Sequence, residues 1–173
     1  QVWPYQIRLW GRDNARVVKA DSVFDLVAWQ RGKIDVLVMS YEQAVNWASD
    51  IASDYFDALI IDESHYLKNP EAKRTKAIVG DKGDGVGGIA GFASHVWCLT
   101  GTPIKNDPAD LWVPLRLSGQ TRLDFTAFQK RFFKQRVGTF SVSNSVRKEA
   151  LPELQAMLRD MSLMRTFADV GSS

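Results

Sequence analysis

Four short apolar runs, each separated from the next by a segment with helical spacing, are the feature that most constrains the fold of this chain. The runs cover residues 15–20, 35–39, 58–61 and 95–99. Helices are predicted between them, over 23–30 after a Ser22 cap, over 42–51, and over 71–79 with Pro70 in the first turn. Strands that are apolar on both faces and separated by helices favour an α/β fold, with a parallel sheet and helices on both faces.

The alternation of strands and helices ends after Pro103. We predict a helix that starts at Asp107 and Pro108 and runs to 117, an aromatic and basic helix over 125–135, a Ser/Val/Asn linker over 138–145 and a final helix over 152–164. Residues 80–91 contain six glycines. They lack the Gly-Lys-Ser or Gly-Lys-Thr sequence of a phosphate-binding loop, so they are interpreted as a mobile loop.

The composition is that of one soluble globular domain, because 45% of the 173 residues are hydrophobic and no apolar run approaches the length of a membrane span. With no secretory signal pattern at its start, the chain is expected inside the cell, cytoplasmic in a bacterium or virus and nuclear in a eukaryote. Cys98 is the single cysteine, which excludes a disulfide framework and a cysteine metal cluster.

The net charge of +2 comes from one segment of the chain. Residues 120–148 hold seven of the 22 basic residues and one of the 20 acidic residues, so the rest of the chain is acidic. Basic residues here, among them Lys130, Arg131 and Lys134, interleave with phenylalanines. Such a surface attracts nucleic-acid phosphates without regard to sequence. A solvated helix face over a small aromatic core explains the pattern equally well.

Two carboxylates, Asp62 and Glu63, follow directly after the apolar run 58–61. In an open parallel sheet, ligands bind beyond the carboxyl ends of the strands, so these side chains could meet a nucleotide. One carboxylate would then hold Mg²⁺, usually through water, and its neighbour would orient or deprotonate the attacking water. By itself, an Asp-Glu pair at this position is usually a solvated strand end.

A second strand, over 96–99, runs into Thr100-Gly101-Thr102-Pro103 and delivers hydroxyl groups to the same predicted sheet edge. Together with the carboxylate pair, this turn resembles motifs II and III of superfamily 2 helicases. The match extends over residues 62–69, which are similar to the extended box of the Swi/Snf branch, and over 99–112, which are similar to its Thr-Gly-Thr-Pro element and the following helix. Residues 36–42 and 158–170 resemble further elements of that branch, in the expected order.

The resemblance implies a partial RecA-like lobe of the P-loop NTPase type and assigns roles to individual residues. Its catalytic residues would be Asp62, Glu63, His65, Thr100, Gly101 and Thr102, with Asp62 holding Mg²⁺ through water and His65 coupling the nucleotide site to the two threonines. Nucleic acid would be contacted by Ser40, Tyr41, Lys68, Asn69, Lys130, Arg131 and Lys134. Residues 1–118 would form the downstream part of lobe one, and residues 119–150 a helical protrusion from it. Residues 151–173 would form the closing helix of lobe one.

The activity implied is that of an ATP-dependent double-stranded DNA translocase that uses ATP and Mg²⁺. No Gly-Lys-Thr phosphate loop occurs in these residues, so we expect a fragment that needs the missing loop segment and a second RecA-like lobe with its arginine fingers. The isolated chain is then expected to bind ATP poorly and to hydrolyse it hardly at all. The alternatives are a nucleotide-independent DNA-binding or docking module of the same fold, and another superfamily 2 enzyme such as an RNA helicase.

Overall fold

The computed structural model describes residues 2–11, 14–80, 88–101, 108–135 and 142–162. Within these ranges eight α-helices occur: α1 (Val2–Trp10), α2 (Val23–Gln30), α3 (Tyr41–Asn46), α4 (Ala48–Ile51), α5 (Lys73–Val79), α6 (Trp112–Leu117), α7 (Phe125–Phe132) and α8 (Leu151–Met161). The strands are β1 (Val17–Lys19), β2 (Val36–Val38), β3 (Phe56–Ile61), β4 (Ala93–Cys98), β5 (Phe133–Gln135) and β6 (Val142–Val146). Short 3₁₀ helices cover Ser64–Leu67, Ile89–Phe92, Pro108–Leu111 and Lys148–Ala150.

The four predicted strands are all present and pair in parallel. Strand β1 pairs with β2, and β3 pairs with β4 in a register that sets Ile61 beside Cys98. Helices separate the strands along the chain, so the predicted α/β class with parallel strands is confirmed. Each parallel pair forms its own two-stranded sheet among the described residues.

An ion pair joins β1 and β2 just before the two strands begin. Arg16 donates to both carboxylate oxygens of Asp35, at 2.7 and 2.9 Å. The hydrogen bonds from Arg16 stabilise the ionised carboxylate and lower the pKa of Asp35 to about 2. The side chain of Gln43 then connects this pair to α3, because its amide donates to the carbonyl of Ala20 at 2.7 Å.

One apolar core runs through the described part of the molecule. It includes Leu26 of α2, Ile61 of β3 and Leu67 after it, Val79 of α5, and the fully buried Leu115 of α6. Phe128, Phe132 and Phe133 join the same core, as does Leu154 of α8. Leu59 and Val96 pack against it from the inner face of the β3–β4 pair.

The opposite face of the β3–β4 pair is exposed among the described residues. Ile60 and Trp97 are cross-strand partners there, with 60% and 61% of their surface exposed. Leu99 continues the same face beyond the end of β4 and is also exposed.

The predicted helix over 71–79 begins later than expected, and Pro70 does not lie in its first turn. Helix α5 starts at Lys73, after an extended Ala72. The reason is local: the side-chain oxygen of Asn69 accepts the N–H of Glu71 at 3.0 Å, and the Asn69 carbonyl accepts the N–H of Ala72 at 3.1 Å. Such a turn, built on an asparagine side chain, satisfies these groups before the helix begins.

The predicted helix over 125–135 is wrong at its end, and so is the linker over 138–145 where it is described. Helix α7 stops at Phe132, and the chain continues as β5, which pairs antiparallel with β6. Phe128 and Phe132 share one helical face, whereas a helical Phe133 would point about 100° away from it. The change to strand buries Phe133 in the same core as the other two rings. Residues 136–141 lie outside the described residues.

The remaining predicted boundaries differ less. Residues 42–51 form two helices, α3 and α4, that meet at Trp47. The helix predicted from Asp107 consists of the 3₁₀ turn Pro108–Leu111 followed by α6, and Asp107 is outside the described residues. The last helix ends at Met161, where the Ser162 hydroxyl donates back to the Leu158 carbonyl at 2.6 Å.

The described ends of the predicted glycine-rich loop lie close together. A Cβ atom on Gly88 would come within 2.3 Å of the Gly80 nitrogen and 2.6 Å of the Ile78 carbonyl oxygen, so only glycine fits against the end of α5. Residues 81–87 are outside the described residues, and the predicted mobility of the loop concerns mainly them. Its final residues form the 3₁₀ helix Ile89–Phe92.

Candidate functional site

The ends of β3 and β4 bring the two predicted motifs together. Beyond the paired residues Ile61 and Cys98, the N–H of Leu99 donates to the Ile61 carbonyl at 2.8 Å, and the N–H of Ser64 donates to the Leu99 carbonyl at 2.9 Å. These bonds extend the parallel ladder past both strand ends. Asp62, Glu63 and Thr100 therefore leave neighbouring strands at one sheet edge, as the sequence predicts.

The chain turns at Glu63, which has a left-handed backbone conformation, before it enters the 3₁₀ helix Ser64–Leu67. Glu63 has φ 49° and ψ 46°, a conformation that disfavours side chains with a Cβ. One oxygen of the Asp62 carboxylate accepts the Glu63 N–H at 2.9 Å and so stabilises the turn. Below it, the buried Thr75 hydroxyl donates to the Leu67 carbonyl at 3.1 Å, which fixes the 3₁₀ helix to α5. The turn leaves both carboxylates exposed at the sheet edge.

His65 links the second carboxylate to the neighbouring strand. Its Nδ1 atom lies 3.1 Å from a Glu63 carboxylate oxygen and 3.3 Å from the Thr100 hydroxyl oxygen. Both contacts are made by the same ring nitrogen, so Glu63 and Thr100 converge on one atom of His65.

The first carboxylate has a partner that lies far away in the sequence. The indole N–H of Trp3, in α1, donates to the other Asp62 oxygen at 2.7 Å. Helix α1 is itself held near β1, because the Arg8 guanidinium donates to the Val17 carbonyl at 2.8 Å. With the Glu63 N–H on one oxygen and Trp3 on the other, the rotation of the Asp62 carboxylate is fixed at both atoms.

Tyr41 approaches the same turn from α3. Its hydroxyl donates to the Asp62 carbonyl at 2.8 Å. Burial raises the pKa of this phenol to about 12, so it remains a donor further into alkali than an ordinary tyrosine. Ser40, just before it, caps α3 by accepting the Gln43 N–H at 3.2 Å. The polar side-chain groups of both predicted nucleic-acid contacts thus have partners within the chain.

Lys68 and Asn69 follow the carboxylate turn and are both exposed. The Asn69 side-chain oxygen is used in the turn before α5, as described above. Lys68 and Asn69 therefore lie on the surface next to the sheet edge, and their contact with nucleic acid remains a prediction.

The basic residues of the second half lie apart from this edge along the chain, on α7 and β5. Lys130 and Lys134 are exposed. Arg131 instead forms a two-pronged ion pair with Glu153 of α8, at 2.8 and 3.3 Å. Arg131 is thus paired within the chain, as expected if residues 120–148 form a solvated helix face over an aromatic core.

Among the described residues, no group of three or more histidine, cysteine or acidic side chains is placed to hold a metal by itself. No described helix is long and apolar enough to cross a membrane. Gly101 is exposed, with open space where a Cβ would stand. Thr102, like Pro103, lies outside the described residues.

The sequence did not point to three of these contacts. Trp3 is 59 positions from Asp62, and no local spacing relates the two residues. Burial of the Tyr41 hydroxyl against the Asp62 backbone and the Arg131–Glu153 pair likewise depend on tertiary packing. Glu153 in the first turn of the last helix could have suggested an ion pair, but nothing in the sequence identified Arg131 as its partner.

Comparison with known proteins finds several with similar sequences. The chain is 30% identical over 138 residues to a SWI/SNF-related matrix-associated actin-dependent regulator of chromatin subfamily A-like protein 1 homolog of Caenorhabditis elegans, covering 78% of this chain and 19% of that protein. It is 28% identical over 129 residues to the helicase-like transcription factor of Mus musculus, covering 75% and 11%. It is 32% identical over 111 residues to the DNA repair protein RAD5 of Gibberella zeae, covering 64% and 8%.

The chain thus spans less than a fifth of the length of these relatives. The family model described as the SNF2-related domain matches residues 3–173, which is nearly the whole chain. This match confirms the resemblance to the Swi/Snf branch of superfamily 2 and, with the parallel strands, the partial RecA-like fold. The protein belongs to the SNF2-related domain family.

Proposed function

We propose that these residues form part of the first motor lobe of an ATP-dependent double-stranded DNA translocase, acting inside the cell. The observation that carries the proposal is the meeting of Asp62, Glu63 and Thr100 at one sheet edge, with His65 between the last two. An acid that touches a histidine, which in turn touches a hydroxyl on the next strand, can relay a change at the nucleotide to a second segment. A solvated strand end has no need of that arrangement.

The roles follow from the positions of the two carboxylates. Glu63 is the general base that orients and deprotonates the attacking water, because its carboxylate is exposed and lies beside the His65 imidazole. Asp62 is the acid that holds Mg²⁺ through water. Mg²⁺ in phosphate-transfer sites is bound by one or two carboxylates, water and the phosphates themselves, so a single exposed and oriented carboxylate fits it. The bound ion would neutralise charge on the transferred phosphate.

The rest of the nucleotide site would come from other segments of the same protein. Residues 1–173 include no Gly-Lys-Ser or Gly-Lys-Thr loop to surround the triphosphate. We propose that this loop and a second RecA-like lobe with arginine fingers complete the site. Arginine fingers contribute about a thousandfold or more to turnover, so residues 1–173 alone are expected to hydrolyse ATP very slowly.

DNA is the proposed track, bound through its phosphates. Exposed lysines at 130 and 134 and the surface around Ser40, Tyr41, Lys68 and Asn69 would contact the backbone rather than the bases. Contacts of that kind are independent of sequence, which suits an enzyme that steps along any duplex. In this proposal, residues 1–118 belong to the lobe, 119–150 form the protrusion and 151–173 close the lobe.

The test is ATP turnover by the full-length protein with and without saturating duplex DNA, in the wild type and in Glu63→Gln. We expect DNA-stimulated turnover in the wild type and a loss of at least about a hundredfold in the variant, the usual contribution of a general base. Binding of a fluorescent ATP analogue should change less than about threefold, since glutamine keeps the size and polarity of the side chain.

The matched control is Glu149→Gln, the same change at an exposed glutamate before α8, which should leave turnover unchanged. Near-normal turnover of Glu63→Gln would remove Glu63 from its role. A wild-type protein that binds DNA but neither binds nor hydrolyses ATP would instead be a nucleotide-independent docking module.

A further inference from the structure

The Tyr41 hydroxyl is the direct connection between α3 and the carboxylate turn. It crosses 21 positions of sequence to reach the Asp62 carbonyl at 2.8 Å, and it lies 3.5 Å from the Glu63 carbonyl. Both acceptors are backbone atoms of the two residues whose side chains carry the proposed chemistry. A displacement of the tyrosine is therefore a displacement of the peptide that holds both carboxylates.

The start of α3 is rigid enough to transmit such a displacement. Ser40 and Gln43 cap each other, because the Ser40 hydroxyl accepts the Gln43 N–H and the Gln43 side chain accepts the Ser40 N–H at 2.9 Å. The Gln43 amide also donates to the Ala20 carbonyl, so the cap is attached to the end of β1. Force on the 40–41 turn would move Tyr41 with the turn instead of unwinding the helix.

The Tyr41 ring packs against one aromatic neighbour, which has contacts of its own. Tyr66 packs edge-on against Tyr41, with ring centroids 6.2 Å apart, and the ring of His65 lies 4.4 Å from Tyr66. The Arg74 guanidinium lies 5.6 Å from the Tyr66 ring centroid. The Tyr41 ring thus packs against Tyr66, and its hydroxyl is protonated at neutral pH.

We propose that Tyr41 is a positioning residue that couples occupation of the 40–41 turn by the DNA backbone to the placement of Asp62 and Glu63. This inference rests on the proposed function, and it changes what Tyr41 is for. The resemblance assigns Tyr41 a contact with nucleic acid, whereas the hydroxyl is directed at the carboxylate turn. DNA bound at the 40–41 turn would fix the position of Tyr41. Through its hydrogen bond to the Asp62 carbonyl, Tyr41 would then fix the two carboxylates for hydrolysis.

The first experiment compares Tyr41→Phe with wild type in the full-length protein. The change removes the hydroxyl and keeps the ring packed against Tyr66. We expect DNA affinity to stay within about twofold, while turnover at saturating DNA falls about fivefold, which corresponds to the loss of one hydrogen bond. Turnover without DNA should change less than turnover with it. The control is Tyr55→Phe, at a tyrosine 84% exposed, which should match wild type in all three measurements.

The second experiment measures amide hydrogen exchange over residues 58–67, with and without duplex DNA. In the wild type, DNA should slow exchange in this segment. In Tyr41→Phe that slowing should be lost, although the variant still binds DNA. A purely structural role would raise exchange equally in both states, so the difference between the two states is specific to coupling.

Three outcomes would overturn the inference. Weaker DNA binding with an unchanged ratio of stimulated to basal turnover would make Tyr41 a DNA contact. Unchanged turnover and exchange would leave the hydroxyl without a function in coupling, and so would exchange that rises equally with and without DNA. Failure of the proposed function looks different, since the wild type itself would then show no DNA-stimulated ATP turnover.

Discussion

The imidazole Nδ1 of His65 lies 3.3 Å from the Thr100 hydroxyl oxygen, across the boundary between β3 and β4. The same nitrogen contacts the Glu63 carboxylate at 3.1 Å. Because one nitrogen contacts both side chains, a change in the position of Glu63 would move the imidazole that reaches Thr100. The two motifs therefore form one hydrogen-bonded unit.

Thr100→Val tests whether this unit couples hydrolysis to movement. Valine keeps the shape of threonine and removes the hydroxyl that contacts His65. We expect ATP turnover to fall less than about threefold, and displacement of a third strand from a duplex, a measure of translocation, to fall about tenfold per ATP hydrolysed. His65→Ala also removes the contact to Glu63, so turnover itself should fall further than in Thr100→Val. Equal losses of hydrolysis and displacement would assign the pair to the chemical step alone.

The basic surface predicts a change in salt dependence. Replacing Lys130 and Lys134 with alanine should reduce the slope of log affinity for duplex DNA against log salt by about 2, because each phosphate contact contributes about 0.9. Fluorescence anisotropy over a salt series measures it. Glu153→Gln serves as the control, since it releases Arg131 from its ion pair and removes no cation. An unchanged slope in the double variant would identify a solvated helix face.

The contact between Trp3 and Asp62 predicts a coupling energy. Trp3→Phe removes the donor and Asp62→Asn removes the charge of the acceptor, so their effects on the free energy of unfolding should not add. The interaction term should be about 1 kcal/mol, less than for a buried charged bond because the site is exposed. Urea unfolding of the two single variants and the double variant measures it. Trp97→Phe combined with Asp62→Asn should be additive, and additivity for Trp3 as well would contradict the contact.

The raised pKa of Tyr41 predicts a loss of stability in alkali. Its folded pKa is about 12 and its ordinary value is 10.0, so the unfolded chain loses this proton first as the pH rises. The contribution is complete below pH 10 and is lost as the pH rises towards 12. Cys98, whose pKa burial raises to about 11, adds a similar loss from about pH 9.

The two groups can be separated by measuring urea unfolding over this pH range in a Cys98→Ala background. Tyr41→Phe in that background should flatten the fall in stability between pH 10 and 12. If the fall keeps its slope, the phenol is not protected from ionisation in the folded chain.

The strands and most helices were predictable because their signals are local. Residues 58–61 and 95–99 are short apolar runs followed by polar turns, and parallel strands place such turns at one edge. Ser22 shows the same at a helix start: its N–H donates to the Asp25 side chain at 2.9 Å, a bond between residues three apart. The approach of Asp62 and Thr100 followed from these patterns without any tertiary information.

The end of α7, the β5–β6 pair and the residues that orient the carboxylates could not be predicted, because they depend on contacts between segments distant in the sequence. Nothing in residues 125–135 shows that Phe133 leaves the helix, because the reason is the core it enters and the β6 strand it pairs with. A Ser/Val/Asn segment is a weak strand by itself. Trp3 and Tyr41 reach the carboxylates only after α1 and α3 have packed, so the sequence identified the acids without identifying the donors that orient them.

The adjacent Ile60 and Trp97 side chains have a practical consequence for work on residues 1–173. Two large apolar groups side by side on a bare pleated surface favour contact between copies at high concentration. Purified residues 1–173 should therefore show scattering that grows with concentration, and a charged residue at position 97 should keep the preparation monodisperse.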